Sequence, residues 1–371
     1  MSLESCPAPV TVNRPMLKAG LRQAWRAPGL LQFGLDPERA VVIEGVDAPL
    51  AGFLAGLDGS LDAKGALALA QRSGIDADRA RAAIEVLAEA GLLADAGSAA
   101  DAPAPLPLMD RDRLAPDLRA SALGRQSPSA GPAAFRARRH ALVAVVGAGR
   151  VGAGIAALLG ASGVGMLVIA DDEPALASDI TPFGLTAHDI GRPRFDGARR
   201  LLAGAAPSTR VLSRIGSRPD LVVLAPDEEA DRACLIRLVS EGVPHLLASV
   251  SEAAGTVGPF VVPGETACLH CIDLHRSDLD PAWPALLAQT VVPGPAPASE
   301  VALAGLVASL AVLHVTTFLI GERSTSMGGT LTISSDGRVR RRTWRPHPGC
   351  GCRFEHLAVP PAADPERGKQ D

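Results

Sequence analysis

Residues 140–172 read HALVAVVGAGRVGAGIAALLGASGVGMLVIADD, and the reading of this stretch decides how the chain folds. Leu142 to Val146 is a short apolar, β-branched run of the kind that forms a buried parallel strand. Gly147, Gly149 and Gly152 follow as G-x-G-x-x-G, and Ala153 to Leu159 has helical spacing without proline. A second apolar run, Met166 to Ala170, ends in Asp171 and Asp172. Strand, tight turn, helix and strand, with acids about twenty residues beyond the glycines, make a mononucleotide-binding unit of an α/β fold. In such a unit Gly147 and Gly149 let the backbone turn and approach a phosphate. Gly152 lets the helix pack on its strand, and the helix N-terminus attracts anions. Asp171 and Asp172 are placed to accept hydrogen bonds from ribose hydroxyls.

Downstream, Asp179 to Gly191 is irregular, and Phe195 to Gly204 and Asp231 to Glu241 have helical patterns. Thr209–Leu212, Asp220–Ala225 and His245–Val250 read as further strands. The second of these ends at Pro226 and Asp227, a strand-end position where α/β sheets bind ligands. Phe260 to Val262 leads into a cysteine pair, and Ala282 to Gln289 is a short helix. Met327–Ser334 and Gly337–Trp344 alternate as a hairpin around Ser335-Asp336-Gly337. Val301 to Ile320 is long enough to span a membrane. Its alanines, Ser309, His314 and two threonines, with no flanking aromatic belt, favour a buried helix of a soluble core.

Upstream, residues 1–14 read as a disordered tail, and residues 15–97 as a small α+β module. Its strand-like runs, 30–35 and 40–46, precede helical segments at 49–57, 62–73 and 77–90, with Asp76 placed to cap the last. Such a module is either simple packing or a winged-helix-like element that takes a peptide by strand addition or in a groove. Residues 98–139 are rich in Pro, Ala and Ser and read as a linker, with short ordered pieces where it crosses the next domain, and residues 358–371 as a second disordered tail. A net charge of −4 over 371 residues gives no reason to expect nucleic acid or an anionic membrane as partner. No signal-peptide pattern opens the chain, so a cytoplasmic location with reduced thiols is expected.

Four of the six cysteines form two close pairs, Cys268-x-x-Cys271 and Cys350-Gly-Cys352. Two such pairs, the first placed at a strand end, complete a tetrahedral sulfur shell, and four thiolates leave a zinc ion no open position, so a structural role is expected over a redox dithiol or inert thiols. His270 and His347 lie beside these ligands, either able to replace a sulfur.

The glycine turn, the strand-end acids and the cysteine pairs together resemble the ThiF/MoeB family, bacterial relatives of ubiquitin-activating enzymes. The resemblance covers about 140–355 and includes the context of Ser178, Asp189-Ile190-Gly191, Arg194 and Asp227. It implies a Rossmann-like domain with a mixed sheet, preceded by the small winged-helix-like domain. It further implies MgATP as substrate, used to attach AMP to the C-terminal carboxylate of a peptide or small protein, in a homodimer. By this resemblance Gly147, Gly149 and Gly152 hold phosphates, Asp171 or Asp172 holds the ribose, and Arg194 stands in for a phosphate-contacting lysine. Asp227 is then the acid near Mg2+.

The departures are specific. Where the family has S-N-L-x-R-Q, this chain has Ser178-Asp179-Ile180-Thr181-Pro182-Phe183, so a charge-stabilising arginine is replaced by Pro182 and a glutamine by Phe183. Loss of a transition-state cation commonly costs several kcal/mol. No cysteine lies between Cys271 and Cys350, which argues against transfer to a thiol of this chain. The combination resembles the branch that accompanies YcaO-type cyclodehydratases, in which the N-terminal part clamps a leader peptide and the ThiF-like part is a scaffold. An NAD-dependent oxidoreductase fits the glycine turn alone and leaves the cysteines unexplained.

Overall fold

The structure, a computed structural model, describes residues 12–97, 106–125, 127–214, 216–227, 229–290 and 298–353. The expected terminal tails fall largely outside the described residues, which omit 1–11 and 354–371. The chain divides into two units at His140/Ala141.

The first unit holds strands β1 (Pro15–Leu17), β2 (Gln23–Ala27), β3 (Leu30–Phe33) and β4 (Val41–Glu44), then helices α1 (Ala48–Ala55), α2 (Ala63–Arg72) and α3 (Ala77–Glu89), and β5 (Leu93–Asp95). An aspartate caps each helix: Asp47, Asp62 and Asp76 accept from backbone amides of the first turns. β2, β3 and β4 make an antiparallel sheet in that order, and β1 pairs with β5. The apolar sides of sheet and helices meet over Phe33, Leu54, Leu87 and Leu93, all fully buried. The ordered pieces within the stretch read as a linker are longer than expected, two helices, α4 (Leu108–Leu123) and α5 (Ala130–His140). Its Pro/Ala composition hid a helical pair in which Leu114 is fully buried and Asp110 bridges Arg113. Gly131 of α5 comes so near Ala122 of α4 that a Cβ there would sit 3.0 Å from the alanine methyl.

The second unit runs β6 (Leu142–Val146), α6 (Gly152–Ala161), β7 (Met166–Ala170), α7 (Arg194–Ala205), β8 (Arg210–Leu212), β9 (Leu221–Leu224) and α8 (Arg232–Ser240). It continues as β10 (His245–Ser251), β11 (Ala254–Val261), α9 (Leu269–Leu279), α10 (Trp283–Gln289), α11 (Val301–Leu319), β12 (Gly329–Ser334) and β13 (Val339–Thr343). These strands form one eight-stranded sheet, ordered β13-β12-β11-β10-β9-β6-β7-β8. β10, β9, β6, β7 and β8 are parallel, and β11, β12 and β13 extend the sheet antiparallel, so it is mixed.

Two elements differ from the sequence reading. β11 begins at Ala254, not at Phe260, and its glycines serve close packing: a Cβ on Gly255 would lie 2.5 Å from a Val307 methyl. The Cys268-x-x-Cys271 pair lies at the start of helix α9, with Cys268 as its N-cap, and not at a strand end. Helix α11 is long and apolar enough to cross a membrane. Here one face of it, Leu303, Val307, Ala311 and Val315, packs into the core with α6, β10 and β11. Its other face leaves Leu306 and Leu313 exposed.

Candidate functional site

β6 pairs with β7 on one side and β9 on the other, so the chain reverses its direction of travel across the sheet between β6 and β9. Crevices for ligands open at such switch points, outside the carboxyl ends of the strands. The glycine turn after β6 and Asp227 beyond β9 meet there. Gly147 has a φ of +89°, which favours glycine. A Cβ on Gly149 would overlap the Asp227 carboxylate, and one on Gly152 would overlap the Gly147 carbonyl. The sequence therefore places glycine where an acid and a helix start press on the same turn.

Arg194, at the start of α7, is the centre of charge. Its Nε and Nη2 donate to the two Asp179 carboxylate oxygens at 2.8 and 2.9 Å. Nη2 also pairs with Asp227 at 2.8 Å, and Nη1 reaches Asp171 at 3.4 Å and Glu173 at 3.5 Å. The side chains of Arg194, Asp171 and Asp179 are 7%, 6% and 5% exposed, so this charge is traded inside the protein. Burial opposes the Arg194 charge, but the Asp179 hydrogen bonds with Asp227 and Asp171 outweigh it and hold the pKa above its usual value. Burial pushes the Asp227 carboxyl upward; Arg194 pulls it back, while Asp179 and Asp171 add to the rise.

Asp171 is also a brace for the turn. One carboxylate oxygen accepts from the Ala148 amide at 2.7 Å and the other from the Glu173 amide at 3.0 Å. Asp172 is exposed, and the Glu173 side chain is 80% exposed beside Arg194. Three participants escaped the sequence reading. In sequence Asp179 is only a departure from the family motif, and Glu173 is overshadowed by the double aspartate before it. Arg150 lies on the glycine turn itself and donates to the Ser178 carbonyl at 2.6 Å. A basic residue inside a glycine turn was the available signal for it.

Phe183 fills a socket between two helices. A Cβ on Gly154 of α6 would sit 2.6 Å from its ring, and one on Gly305 of α11 would sit 3.0 Å from it. The residue standing where the family pattern has glutamine is therefore packing. Pro182 is exposed and carries neither charge nor donor. Nearby, Asp189 ties the Thr186 amide and hydroxyl at 2.7 and 2.8 Å and pairs with Arg200, closing the irregular strap before α7.

The four expected cysteines come together. Cys268 Sγ lies 3.7 Å from Cys271 Sγ and 3.6 Å from Cys350 Sγ, and Cys271 Sγ lies 3.4 Å from Cys352 Sγ. All four sulfurs are within 4.8 Å of one another. A tetrahedron with metal–sulfur bonds of ~2.3 Å has edges of about 3.8 Å, so the set fits a metal ion. The Cys268 thiol donates to Cys271 and pushes its pKa down to about 4, while that same bond and burial raise Cys268. Burial and the Cys271 contact raise Cys352 to about 12. His347 is spent elsewhere: Nε2 bonds Asp278 at 2.9 Å, and Nδ1 accepts from the Gly349 amide at 3.0 Å. His270 is exposed.

The ThiF family's sequence pattern matches residues 123–352, more than half of the chain. The chain belongs to the ThiF family. Among curated ThiF-type relatives, a sulfur carrier protein adenylyltransferase of Thermus thermophilus is 27% identical over 240 residues, covering 60% of this chain and 86% of that one. Among solved structures, E. coli MccB with ATP is similar at a TM-score of 0.66 and 16% identity, covering 91% of this chain and 99% of that one. The microcin C7 biosynthetic enzyme MccB in complex with N-formylated MccA gives 0.67 and 16%, covering 92% and 99%. PaaA gives 0.63 and 17%, covering 87% and 98%. These likenesses show the ThiF-type fold.

Proposed function

We propose that this ThiF-family chain binds a peptide or small protein and retains a MgATP site of adenylyltransferase type that works only weakly by itself. The single observation that carries this reading is the commitment of Arg194 to Asp179, Asp171 and Asp227. Three carboxylates against one guanidinium leave an excess of negative charge where a triphosphate would lie. A nucleotide enters such a site with its own divalent cation, for which Asp227 and Asp179 offer oxygens. The amides that open α6 and the frame of Asp171 and Glu173 hold phosphate and ribose. MgATP supplies an electrophilic α-phosphate for attack by a carboxylate of the partner. The chain contributes position, and with Arg194 locked and Pro182 uncharged it contributes little new positive charge as the transition state forms.

The open edges of the β2-β3-β4 sheet suit an extended peptide, and Trp25 on β2 is 53% exposed there. E. coli MccB has been solved with the peptide MccA, which supports a peptide as partner, and we assign its binding to the N-terminal unit as a winged-helix-like clamp. The apolar stripe of Leu306 and Leu313 on α11 suits a homodimer contact. The cysteine cluster, taken as a closed structural zinc site, ties the segment after β13 to α9, in a cytoplasm that keeps thiols reduced.

A second reading is favoured by one observation, the use of Phe183 as packing: a leader-peptide-binding scaffold for a YcaO-type cyclodehydratase. ATP–pyrophosphate exchange separates the two. The adenylyltransferase reading expects very slow exchange that rises at least tenfold with the peptide and its partner enzyme and falls with Asp227→Ala. Absence of exchange in the full mixture, with peptide binding intact, selects the scaffold. Rapid partner-free exchange overturns the argument about Arg194.

A further inference from the structure

Residues 338–345 read RVRRRTWR, five arginines and no acid, in a chain whose net charge is −4. They contain strand β13, the end of the eight-stranded sheet, which pairs with β12 alone among the described strands. Every residue of β13 is exposed. On its outer edge alternate residues turn N–H and C=O away from β12, a row of main-chain groups that an added strand takes up.

Arg340 stands opposite Thr332 and Arg342 opposite Thr330, so the two share one face of the strand. Leu331 and Ile333, which alternate with those threonines on β12, are buried in the core. Among the described residues only Arg338 of the five pairs with a carboxylate, Asp336 at 3.6 Å. Arg341 donates to the Thr325 carbonyl and the Thr343 hydroxyl, both at 2.8 Å, and Arg342 lies over the Trp344 ring at 4.0 Å. The edge therefore carries a surplus of positive charge that its own neighbours leave uncompensated.

That charge selects among occupants. A second copy paired edge to edge would set arginine against arginine, which is destabilising. Single-stranded nucleic acid binds by stacking bases on open aromatic faces, whereas Trp344 is 6% exposed beneath Arg342. We propose that the free edge of β13 docks an extended acidic segment of a partner protein, added as a further strand whose alternate acids face Arg340 and Arg342. Main-chain hydrogen bonds hold the segment, and the arginines select its charge. The proposal does not depend on the nucleotide site.

The probe is a dye-labelled peptide, (Glu-Thr)5, titrated against the full chain by fluorescence anisotropy. The expected result is saturable binding of one peptide per chain that weakens as salt is raised. Arg340→Ala with Arg345→Ala, two exposed side chains without an ion pair among the described residues, lowers the affinity by roughly tenfold or more. Circular dichroism and metal content stay unchanged in that variant. The same peptide N-methylated throughout keeps its charge, loses the main-chain pairing and binds correspondingly weaker. Equal binding of the N-methylated peptide or of (Lys-Thr)5 overturns the proposal, as does indifference to the double substitution. Absence of saturable binding overturns it too. Tighter binding of an oligothymidylate of the same length does so as well, because the edge then belongs to nucleic acid.

Discussion

Replacing Arg194 with alanine tests the central electrostatic argument. The substitution removes the fork that holds Asp179 at 2.8 and 2.9 Å and the contact to Asp227 at 2.8 Å. Asp179 and Asp171 are then left as neighbouring carboxylates, each 6% exposed or less, with no guanidinium between them. Breaking a buried pair from one side costs about 3–5 kcal/mol, because the stranded charge is no longer compensated. Asp227, at 28% exposure, is reached by water and adds less. For a folded unit of this size each kcal/mol moves Tm by about 2–4 °C, so thermal denaturation without nucleotide at neutral pH should show a fall of roughly 6–20 °C. Acid should shrink the deficit, since protonation relieves the stranded carboxylates. The double variant Arg194→Ala with Asp179→Asn should be more stable than the single one, by about 1–2 kcal/mol. A loss below about 1 kcal/mol would falsify the reasoning, because an arginine held free for a phosphate leaves little behind when removed.

The cysteine cluster should carry about one zinc per chain, and chelation or Cys350→Ser should lower stability by several kcal/mol; metal-free protein of unchanged Tm would sink the structural-zinc reading. Phe183→Ala should cost about 2–4 kcal/mol by emptying the socket between α6 and α11, while Gly154→Ala should strain it; a neutral effect in denaturant melts would show that the ring does not pack there. His314 is buried with Ser326 Oγ 2.7 Å and Thr325 Oγ1 3.2 Å away, and burial lowers its pKa from 6.5 to about 4. Because the unfolded chain takes the proton first, stability should be full above about pH 6.5 and decline toward pH 4, by on the order of 3 kcal/mol from this group. His314→Gln should flatten that part of the stability profile, and an identical slope in variant and parent would refute the assignment.

Local chemistry made much of this protein legible from its residues alone. The apolar runs at 142–146 and 166–170 and the glycine turn between them become β6, β7 and the start of α6, because strand burial and phosphate-turn geometry are short-range demands. The two cysteine pairs were visible for the same reason: ligand spacing is a local constraint, although 78 residues of chain lie between Cys271 and Cys350. Composition misled where packing overrides it, as in the Pro/Ala-rich stretch that holds α4 and α5 and in the glycine-bearing strand β11. The site's charge balance belonged to tertiary structure entirely. Arg194, Asp171, Asp179 and Asp227 come from four separated positions, and only the folded sheet brings one guanidinium between three acids. Likewise Phe183 reads in sequence as a lost polar group, and becomes a packing residue only when Gly154 and Gly305 face it from two helices. A side chain's type is written locally, but its partners are set by which elements the core presses together.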